Sequence, residues 1–490
     1  MPSVEYENLL NKFGEYGVVE EVRLPVALIS GLPGAKTGEL VVFENNEKGQ
    51  VISLGEKANE VLILSDNIIT AGLKVARTGE NFGVWVGNGL LGCTINSLGD
   101  VLIPYNKVPK VTEYRGVDVS PLSITKRMAI KDPLLTGVSV VDLLVPLGRG
   151  QRELVVGDRK TGKTSFLLSV CRNQVKEGSV VIYAAVGKNI SEVKKIRDYL
   201  QTYDALKSAI IVFSSSADSP SLIYQAPFTA MTIAEFFRDR GENVLVILDD
   251  LSNHAKAYRE ISLLAKRFPG RESYPGDIFY VHSRLLERGG VYERGSITCL
   301  PVGETLENDL TSYIVSNLIG ITDGHILFDT EEFLKGRRPA VNILLSITRV
   351  GRQTHNVLHQ EINSALLSFV AEYQRILDLS HFGAEITDEV KNKLSRGEKL
   401  MASLDQPADM VIPFSVQMVF LGLLWIGAFD DLEVTKIAAY RGALAANYEG
   451  NRSIRKSINS LVLSPGMEEF LVAVERSKAA LLKLCEQLKG

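Results

Sequence analysis

The sequence predicts a multidomain α/β protein with an N-terminal β-barrel at residues 1–87, a central domain built on a parallel sheet at 88–375 and a C-terminal α-helical domain at 376–490. Three patterns lead to this prediction. Short apolar runs broken by turns come first, strands then alternate with helices, and a long helical spacing of apolar residues follows. Each pattern is typical of one of the three domains.

The N-terminal region alternates apolar and polar side chains from about residue 18. Val22, Val26 and Leu28 are separated by residues such as Arg23, which is the period of a strand with one buried face. Turn-forming clusters such as residues 44–49 separate the runs at short intervals, and this favours antiparallel strands joined by hairpins. A small β-barrel or a sandwich is therefore expected up to residue 87.

The central region alternates between strands and helices. Residues 179–186 and 243–248 are predicted strands, and residues 191–200 and 233–239 are predicted helices. This alternation is typical of βαβ units around a parallel sheet. From His355 onward, apolar side chains with helical spacing predict a helix that buries one face: Leu358, Ile362, Leu366, Phe369, Tyr373 and Leu377.

The composition argues against several classes of protein. The 54 basic and 58 acidic residues give a net charge of −4, which provides no field for non-specific nucleic-acid binding. The longest apolar run, 418–429, is shorter than the roughly 20 residues of a spanning helix, and no secretory signal is recognisable. Four widely spaced cysteines indicate reduced thiols rather than a zinc site, and His355 and His359, expected on one helix, lack a third metal ligand.

A glycine-rich segment after the predicted strand 153–156 fits the pattern GxxxxGK[ST], the P-loop. Its backbone N–H groups would surround phosphate oxygens at a helix N-terminus, Lys163 would reach the terminal phosphates and the Thr164 hydroxyl would ligate magnesium. The predicted nucleotide-binding residues of this segment are Gly157, Asp158, Arg159, Lys160, Thr161, Gly162, Lys163, Thr164 and Ser165.

A second element belongs with the P-loop. The apolar strand 244–248 is followed by Asp249 and Asp250. The carboxyl edge of a parallel sheet is where an acid that orients magnesium is expected, and Asp249 is favoured over Asp250 for this role. The predicted ligands are therefore a phosphate-bearing molecule and Mg²⁺, the metal held by Thr164 and Asp249; the family resemblance described below implies that this molecule is ATP or ADP.

Further segments make the match more specific than a general P-loop. They are GRGQR at 148–152, LDDLS at 248–252, PGRESYPGD at 269–277, HSRLLER at 282–288, ITDG at 321–324, RPAVN at 338–342 and SITRVG at 346–351. Together with the P-loop they resemble the alpha-subunit family of F-type rotary ATP synthases over nearly the whole chain. The resemblance implies a RecA-like central domain between a β-barrel and a helical domain, in agreement with the three regions above.

The resemblance also implies partners and a location. Alpha subunits alternate with catalytic beta subunits in a hetero-hexamer around a gamma-subunit stalk, and a delta-type subunit belongs to the peripheral stalk. The assembly couples ion flow to ATP synthesis or hydrolysis, while alpha holds a nucleotide without turning it over. Such a chain meets the membrane only through the rotor and stator sector, on the cytoplasmic face in bacteria or the matrix or stromal face in an organelle, and binds no nucleic acid.

Lys188 gives a reason for expecting no turnover by the chain alone. Catalytic members of the family place a glutamate here to activate the attacking water, whereas a protonated lysine accepts no proton and can pair with a γ-phosphate. The family usually has glutamine at the positions of Lys160 and Lys188, so two additional positive charges would surround the phosphates. We therefore expect tight nucleotide binding with a reduced requirement for magnesium.

The resemblance assigns residues outside the P-loop as well. Arg349 matches the arginine finger that reaches into the neighbouring beta subunit and stabilises charge on the transferring phosphoryl group. Phe333, Arg338 and Pro339 match the lining of the nucleotide pocket, an apolar and stacking surface suited to adenine. The glutamine-rich loop of the family is reduced here to Gln406.

Two other motors with a related core stay open as alternatives. A catalytic homohexameric export or secretion ATPase would hydrolyse ATP itself, and Lys188 in place of the glutamate argues against it. A hexameric RNA translocase would need a basic and aromatic surface, which neither the net charge nor the N-terminal region indicates.

Overall fold

The computed structural model describes residues 6–65, 67–105, 110–381 and 388–487. Its strands are β1 (Gly17–Arg23), β2 (Val26–Ser30), β3 (Glu39–Phe43), β4 (Lys48–Ser53), β5 (Asn59–Ile63), β6 (Lys74–Asn81), β7 (Gly83–Val86), β8 (Thr94–Asn96), β9 (Val101–Ile103), β10 (Glu113–Gly116), β11 (Arg127–Met128), β12 (Pro133–Leu134), β13 (Leu147–Gly148), β14 (Glu153–Gly157), β15 (Val180–Lys188), β16 (Ala209–Ser215), β17 (Asn243–Asp249), β18 (Gly290–Tyr292), β19 (Ser296–Glu304), β20 (Gly324–Phe328) and β21 (Ile347–Thr348).

The α-helices are distributed over the whole chain and become continuous towards its C-terminus. They are α1 (Tyr6–Phe13), α2 (Ser139–Leu144), α3 (Lys163–Lys176), α4 (Ile190–Thr202), α5 (Pro220–Arg238), α6 (Leu251–Leu264), α7 (Ile278–Leu286), α8 (Tyr313–Ile321), α9 (Thr330–Leu334), α10 (Val357–His381), α11 (Asp388–Leu404), α12 (Phe414–Trp425), α13 (Val434–Gly450), α14 (Arg452–Leu461) and α15 (Met467–Glu486). None of the helices in the described ranges is both long and apolar enough to cross a membrane.

The chain forms two compact units. The first contains the described residues of Met1–Met128, Val175–Glu304 and Asp309–Thr322, and the second contains those of Ala129–Gln174, Thr305–Asn308 and Asp323–Gly490. Barrel, parallel-sheet and helical regions are all present, so the predicted fold class is confirmed. The predicted domain limits at residues 87 and 375 stay predictions; residue 375 lies within α10.

The first unit begins with a closed six-stranded barrel in the order β1-β2-β5-β4-β3-β6. Its interior is filled by apolar side chains, including Val19, Ile29 and Phe43, which the alternating pattern turns inward. Helix α1, which sequence reasoning did not predict, packs Tyr6 and Leu9 outside this core, against other residues of β3 and β6. The barrel expected from the alternation is thus present.

The rest of the first unit is built on parallel strands in the order β19-β17-β15-β16-β8, with β9 antiparallel at the edge. Strands β15 and β17 pair in register so that Ala185 lies opposite Asp249. The carboxyl ends of both strands therefore lie at one edge of the sheet, where they position Lys188 and Asp249. Helix α5 spans 19 residues and is longer than the predicted 233–239. The prediction was too short because the helix is buried on nearly every side and shows no amphipathic period.

In the second unit, β14 pairs in parallel with β20, and β21 pairs antiparallel with β20. The chain passes from β14 through the P-loop into α3, as the motif requires. Helices α10 to α15 form the C-terminal region. Helix α10 begins at Val357, so the expectation that His355 lies on this helix is wrong. The four cysteines, Cys93, Cys171, Cys299 and Cys485, are buried thiols that form no disulfide, two in each unit.

Candidate functional site

In the P-loop of the second unit, polar side chains form hydrogen bonds with carbonyl oxygens of the same loop. The Lys163 ammonium donates to the carbonyl oxygens of Gly157 at 2.7 Å and Asp158 at 2.6 Å, and the Thr161 hydroxyl donates to the Asp158 carbonyl at 2.8 Å. At Gly157 the backbone has a positive φ, and a Cβ would lie 2.1 Å from the carbonyl oxygen of Phe328. Only glycine lets the loop leave β14 this close to β20.

The Asp158 side chain points into the protein. One oxygen accepts from the Thr305 hydroxyl at 2.6 Å and the Asn308 N–H at 3.1 Å, and the other accepts from the Thr330 hydroxyl at 3.0 Å. Partial burial raises the pKa of Asp158, but these hydrogen bonds lower it more, and the net shift is downward. Asp158 therefore anchors the start of the P-loop as a charged group.

A pocket of about 310 Å³ borders the P-loop. The predicted site residues that line it are Lys160, Thr161, Gly162, Ser165, Phe333, Arg338, Pro339 and Gln406. Sequence reasoning missed further lining residues, namely Val138, Phe166, Ser169, Pro407 and Ala408. Two of these, Pro407 and Ala408, follow Gln406 directly, so the same loop contributes backbone and small side chains as well as the predicted amide.

Phe333 and Arg338 form one wall of this pocket. The Arg338 guanidinium carbon lies 3.7 Å from the Phe333 ring centroid, and its Nη1 donates to the Phe333 carbonyl oxygen at 2.9 Å. A cation stacked on an aromatic ring leaves a flat, polarizable surface against which a purine can pack. The wall predicted for adenine is thus assembled from side chains that already contact each other.

Gln406 was predicted to contact the adenine base, but its side-chain amide forms hydrogen bonds with other residues of the chain. Its Nε2 donates to the carbonyl oxygens of Gly137 at 2.8 Å and Met410 at 2.7 Å. Its Oε1 accepts from the backbone N–H and the hydroxyl of Ser139, both at 3.1 Å. The buried Gln406 side chain therefore joins two segments of the pocket wall, and its contact with the base stays a prediction.

In the first unit, Lys188 forms ion pairs with the two acids that follow β17. Its Nζ lies 2.8 Å from Asp249 Oδ1 and 3.1 Å from Asp250 Oδ2. The Tyr183 hydroxyl donates to Asp249 Oδ2 at 2.7 Å, and Asp250 Oδ1 accepts from the Asn253 N–H at 2.7 Å at the start of α6. Burial lowers the pKa of Lys188, but the two carboxylates raise it above its ordinary value, so the ammonium stays charged.

The two predicted magnesium ligands differ in their surroundings. Thr164 is exposed at the first turn of α3, so its hydroxyl is accessible to a metal ion. Asp249 is buried, and each of its oxygens already accepts a protein donor, so a divalent cation there would lie beside the Lys188 ammonium. Within the described ranges, no three His, Cys, Asp or Glu side chains converge to hold a metal ion.

Arg349 follows β21 in the second unit. Its backbone N–H donates to the Asp323 carbonyl oxygen at 3.1 Å, and Asp323 is itself paired with Arg152 at 2.8 Å. The Arg349 side chain is exposed and forms no hydrogen bond or ion pair with the residues that the structure describes. The Arg349 backbone is thus held in place, while its guanidinium donors have no hydrogen-bond acceptor among the described residues.

Comparison with known proteins gives the family of this chain. Residues 137–348 match the nucleotide-binding domain of the ATP synthase alpha/beta family, and residues 355–474 match the C-terminal domain of the ATP synthase alpha/beta chain. The chain belongs to the ATP synthase alpha/beta family. It is 39% identical over 403 residues to the ATP synthase subunit alpha of Carsonella ruddii (strain PV), an alignment that covers 80% of this chain and 84% of the relative.

Membership of the ATP synthase alpha/beta family confirms the resemblance to alpha subunits and the membership of an ATP synthase complex. The P-loop, Lys188, Asp249 and the Phe333 wall all lie inside the matched nucleotide-binding domain. Gln406 lies inside the matched C-terminal domain, and Arg349 lies between the two matched segments. The pocket beside the P-loop thus combines residues of both matched domains.

Proposed function

We propose that the chain is the non-catalytic, nucleotide-holding alpha subunit of an F-type ATP synthase. The observation that carries this proposal is Lys188, which stands where a catalytic glutamate is expected and forms ion pairs with Asp249 and Asp250. A charged ammonium between two carboxylates cannot accept a proton from water. The chain then binds nucleotide without turning it over.

The nucleotide is ATP or ADP, bound at the P-loop of this chain. The phosphates lie against the backbone N–H groups around Gly162, where Lys163 exchanges its carbonyl partners for phosphate oxygens. The adenine packs on the wall of Phe333, Arg338 and Pro339 in the pocket of about 310 Å³. Magnesium, when bound, is held by the exposed Thr164 hydroxyl and neutralises charge on the phosphates.

The principal partner is a beta subunit, which alternates with this chain in a hetero-hexamer around a gamma subunit and contacts a delta-type subunit at the peripheral stalk. Arg349 acts in trans: its exposed guanidinium stabilises negative charge on the phosphoryl group at the beta-subunit site. The guanidinium forms no hydrogen bond or ion pair with the described residues, and this supports the role because no such bond has to break before it contacts a phosphoryl group. The complex couples ion flow to ATP synthesis or hydrolysis, and this chain lies on the cytoplasmic face of a bacterial plasma membrane or on the matrix or stromal face in an organelle.

ATP turnover and retained nucleotide test the proposal. We expect the purified chain to retain nucleotide without turnover and to support turnover once its beta partner is added. Arg349→Ala should lower the turnover of the assembly by about 10³-fold or more while the chain still retains nucleotide. Arg352→Ala is the matched control, because Arg352 is an exposed arginine nearby that donates to the Ser364 hydroxyl within the chain.

Sustained turnover by the chain alone would contradict the proposal and favour a self-sufficient homohexameric export ATPase. Equal losses in Arg349→Ala and Arg352→Ala would mean that assembly rather than charge stabilisation is affected. Hexamer formation by each variant, measured by mass photometry, separates these two causes.

A further inference from the structure

The hydroxyl of Thr348 joins three segments of the second unit at the point where the chain reaches Arg349. It donates to the Pro146 carbonyl oxygen at 2.9 Å and accepts from the Gly351 N–H at 3.2 Å. It also accepts from the Gln151 side-chain amide, whose Nε2 lies 3.3 Å away. Thr348 is the last residue of β21, so these three hydrogen bonds hold the position from which the chain leaves the strand.

Gln151 is itself held by buried partners. Its side-chain oxygen accepts from the Gly148 N–H at 2.7 Å. Its Nε2 carries two N–H groups, and these are directed to Glu153 Oε2, at 2.6 Å, and to the Thr348 hydroxyl. Gln151 and Glu153 are both buried. Because the amide is bonded at its oxygen and at its nitrogen, it provides the Thr348 hydroxyl with a donor in a fixed position.

The three strands β14, β20 and β21 bring these groups together. Glu153 on β14 pairs with Gly324 on β20, and Gly324 pairs with Thr348 on β21. A Cβ at Gly324 would lie 2.7 Å from both oxygens of the Glu153 carboxyl, so a side chain there would displace the carboxyl that binds the amide. The Arg349 N–H donates to the Asp323 carbonyl oxygen at 3.1 Å, which holds the Arg349 backbone against the chain that leads into β20.

We propose that Gln151 and Thr348 are positioning residues for Arg349, which set the direction in which its guanidinium leaves the turn after β21. The inference rests on the proposed role of Arg349 at the beta-subunit site and adds the residues that orient it. The Arg349 side chain forms no hydrogen bond or ion pair with the described residues, so among them its direction comes from the backbone. A misplacement of about 1 Å at a reacting centre can lower a rate about 100-fold, so the position of this backbone matters.

ATP turnover by the assembly of this chain with its beta partner tests the inference, measured as phosphate release from radiolabelled ATP. Thr348→Val keeps the shape of the side chain but removes the hydroxyl. We expect kcat to fall by about tenfold or more while KM changes by less than about twofold. Thr348→Ser retains a hydroxyl and should keep kcat within about threefold of the wild type.

Thr202→Val is the matched control. It removes a threonine hydroxyl that also donates to a backbone carbonyl oxygen, that of Asp198 at 2.8 Å, at an exposed position of α4. Its kcat and KM should equal those of the wild type. Thermal melting and mass photometry identify the variants that fold and form hexamers, and only these are compared. Thr348 is half-buried in a two-residue edge strand, so we expect its variants to fold.

Combination with Arg349→Ala distinguishes positioning from a general structural role. Once the guanidinium is absent, Thr348→Val should lower kcat by less than about a further twofold, because its effect passes through Arg349. Gln151→Leu removes the amide donor to the Thr348 hydroxyl and provides a second variant. Its effect on kcat should likewise depend on the presence of Arg349.

The results separate the inference from the proposed function. If Thr348→Val keeps the wild-type kcat, or lowers it equally with and without Arg349, the inference is wrong while the proposed function stands. An equal loss in Thr348→Ser and Thr348→Val would also overturn it, because serine retains the hydroxyl. If Arg349→Ala itself leaves turnover unchanged, the proposed role of Arg349 fails and the inference fails with it.

Discussion

The Arg338 guanidinium lies on the face of the Phe333 ring, 3.7 Å from its centroid, and both side chains border the pocket next to the P-loop. If this wall packs against adenine, Phe333→Ala removes the stacking surface, and we expect the affinity for ADP to fall by about tenfold, measured by equilibrium dialysis. Leu334→Ala is the control, because Leu334 is 78% exposed and does not line the pocket. An unchanged affinity in Phe333→Ala would place the base elsewhere.

Gln406 is predicted to be a structural element of the pocket wall. Gln406→Ala leaves the Gly137 and Met410 carbonyl oxygens and the Ser139 N–H without their buried partner. We expect the free energy of unfolding to fall by about 2–4 kcal/mol in urea titrations. Gln353→Ala, at an exposed position, is the control and should change the free energy of unfolding little. If Gln406→Ala also changes it little, water molecules replace the lost amide.

The limits of sequence reasoning are visible around these residues. Sequence patterns located both the P-loop and the acids after β17. Each of these features is defined by a few neighbouring residues with a fixed spacing, so the sequence alone is enough to find it. The pairing of Lys188 with Asp249 depends on the neighbouring register of β15 and β17, which lie some sixty residues apart in the chain. The parallel order of these strands would have predicted it, since carboxyl ends of adjacent strands meet at one edge.

Other features carried no local signal. Helix α5 is buried on nearly every side, so the apolar period that marks an amphipathic helix is missing over residues 220–232. Gln406 forms hydrogen bonds with Gly137 and Ser139, which lie more than 260 residues away in the chain. No sequence-spacing rule predicts such a contact. Sequence patterns thus predicted elements and motifs, whereas long-range polar contacts required the structure.

A buried ion pair is expected to control the stability of the first unit. Arg288 is 1% exposed and binds both Glu235 oxygens, at 3.0 Å and 2.6 Å. Arg288→Met leaves the buried Glu235 carboxylate with only the longer ion pair to Arg238, at 3.6 Å, so the free energy of unfolding should fall by up to about 3–5 kcal/mol in urea titrations. Lys207→Met, which breaks an exposed ion pair with Asp204, should have little effect. A similar loss in both variants would contradict the importance of burial.

The histidine pair of the first unit predicts acid destabilisation. His282 Nε2 lies 3.0 Å from His254 Nδ1, and burial lowers the pKa of His282 to about 4. Between this value and the unfolded value of about 6.5, only the unfolded chain takes up the proton. Stability is therefore lost as the pH falls through this range, by about 2 kcal/mol between pH 7 and pH 5 for His282 alone.

Urea unfolding of the wild type and His282→Gln at several pH values measures this contribution. The variant should be less stable at pH 7 but should lose less stability on acidification, because one titrating group is gone. Parallel curves for the two proteins would show that folding does not lower the pKa of His282. The comparison depends on the slope with pH and not on the absolute stability of the variant.

Reaction of the four buried thiols with a reagent in solution measures local and global unfolding of the chain. Cys93 and Cys299 lie in the first unit, and Cys171 and Cys485 lie in the second, so each unit carries two sites that a thiol reagent reaches only after local or global unfolding. Burial also raises the pKa of Cys171 and Cys485, which slows reaction further while these regions stay closed. Labelling rates at the individual cysteines, measured by mass spectrometry with and without nucleotide, would show which unit unfolds locally first when nucleotide is removed.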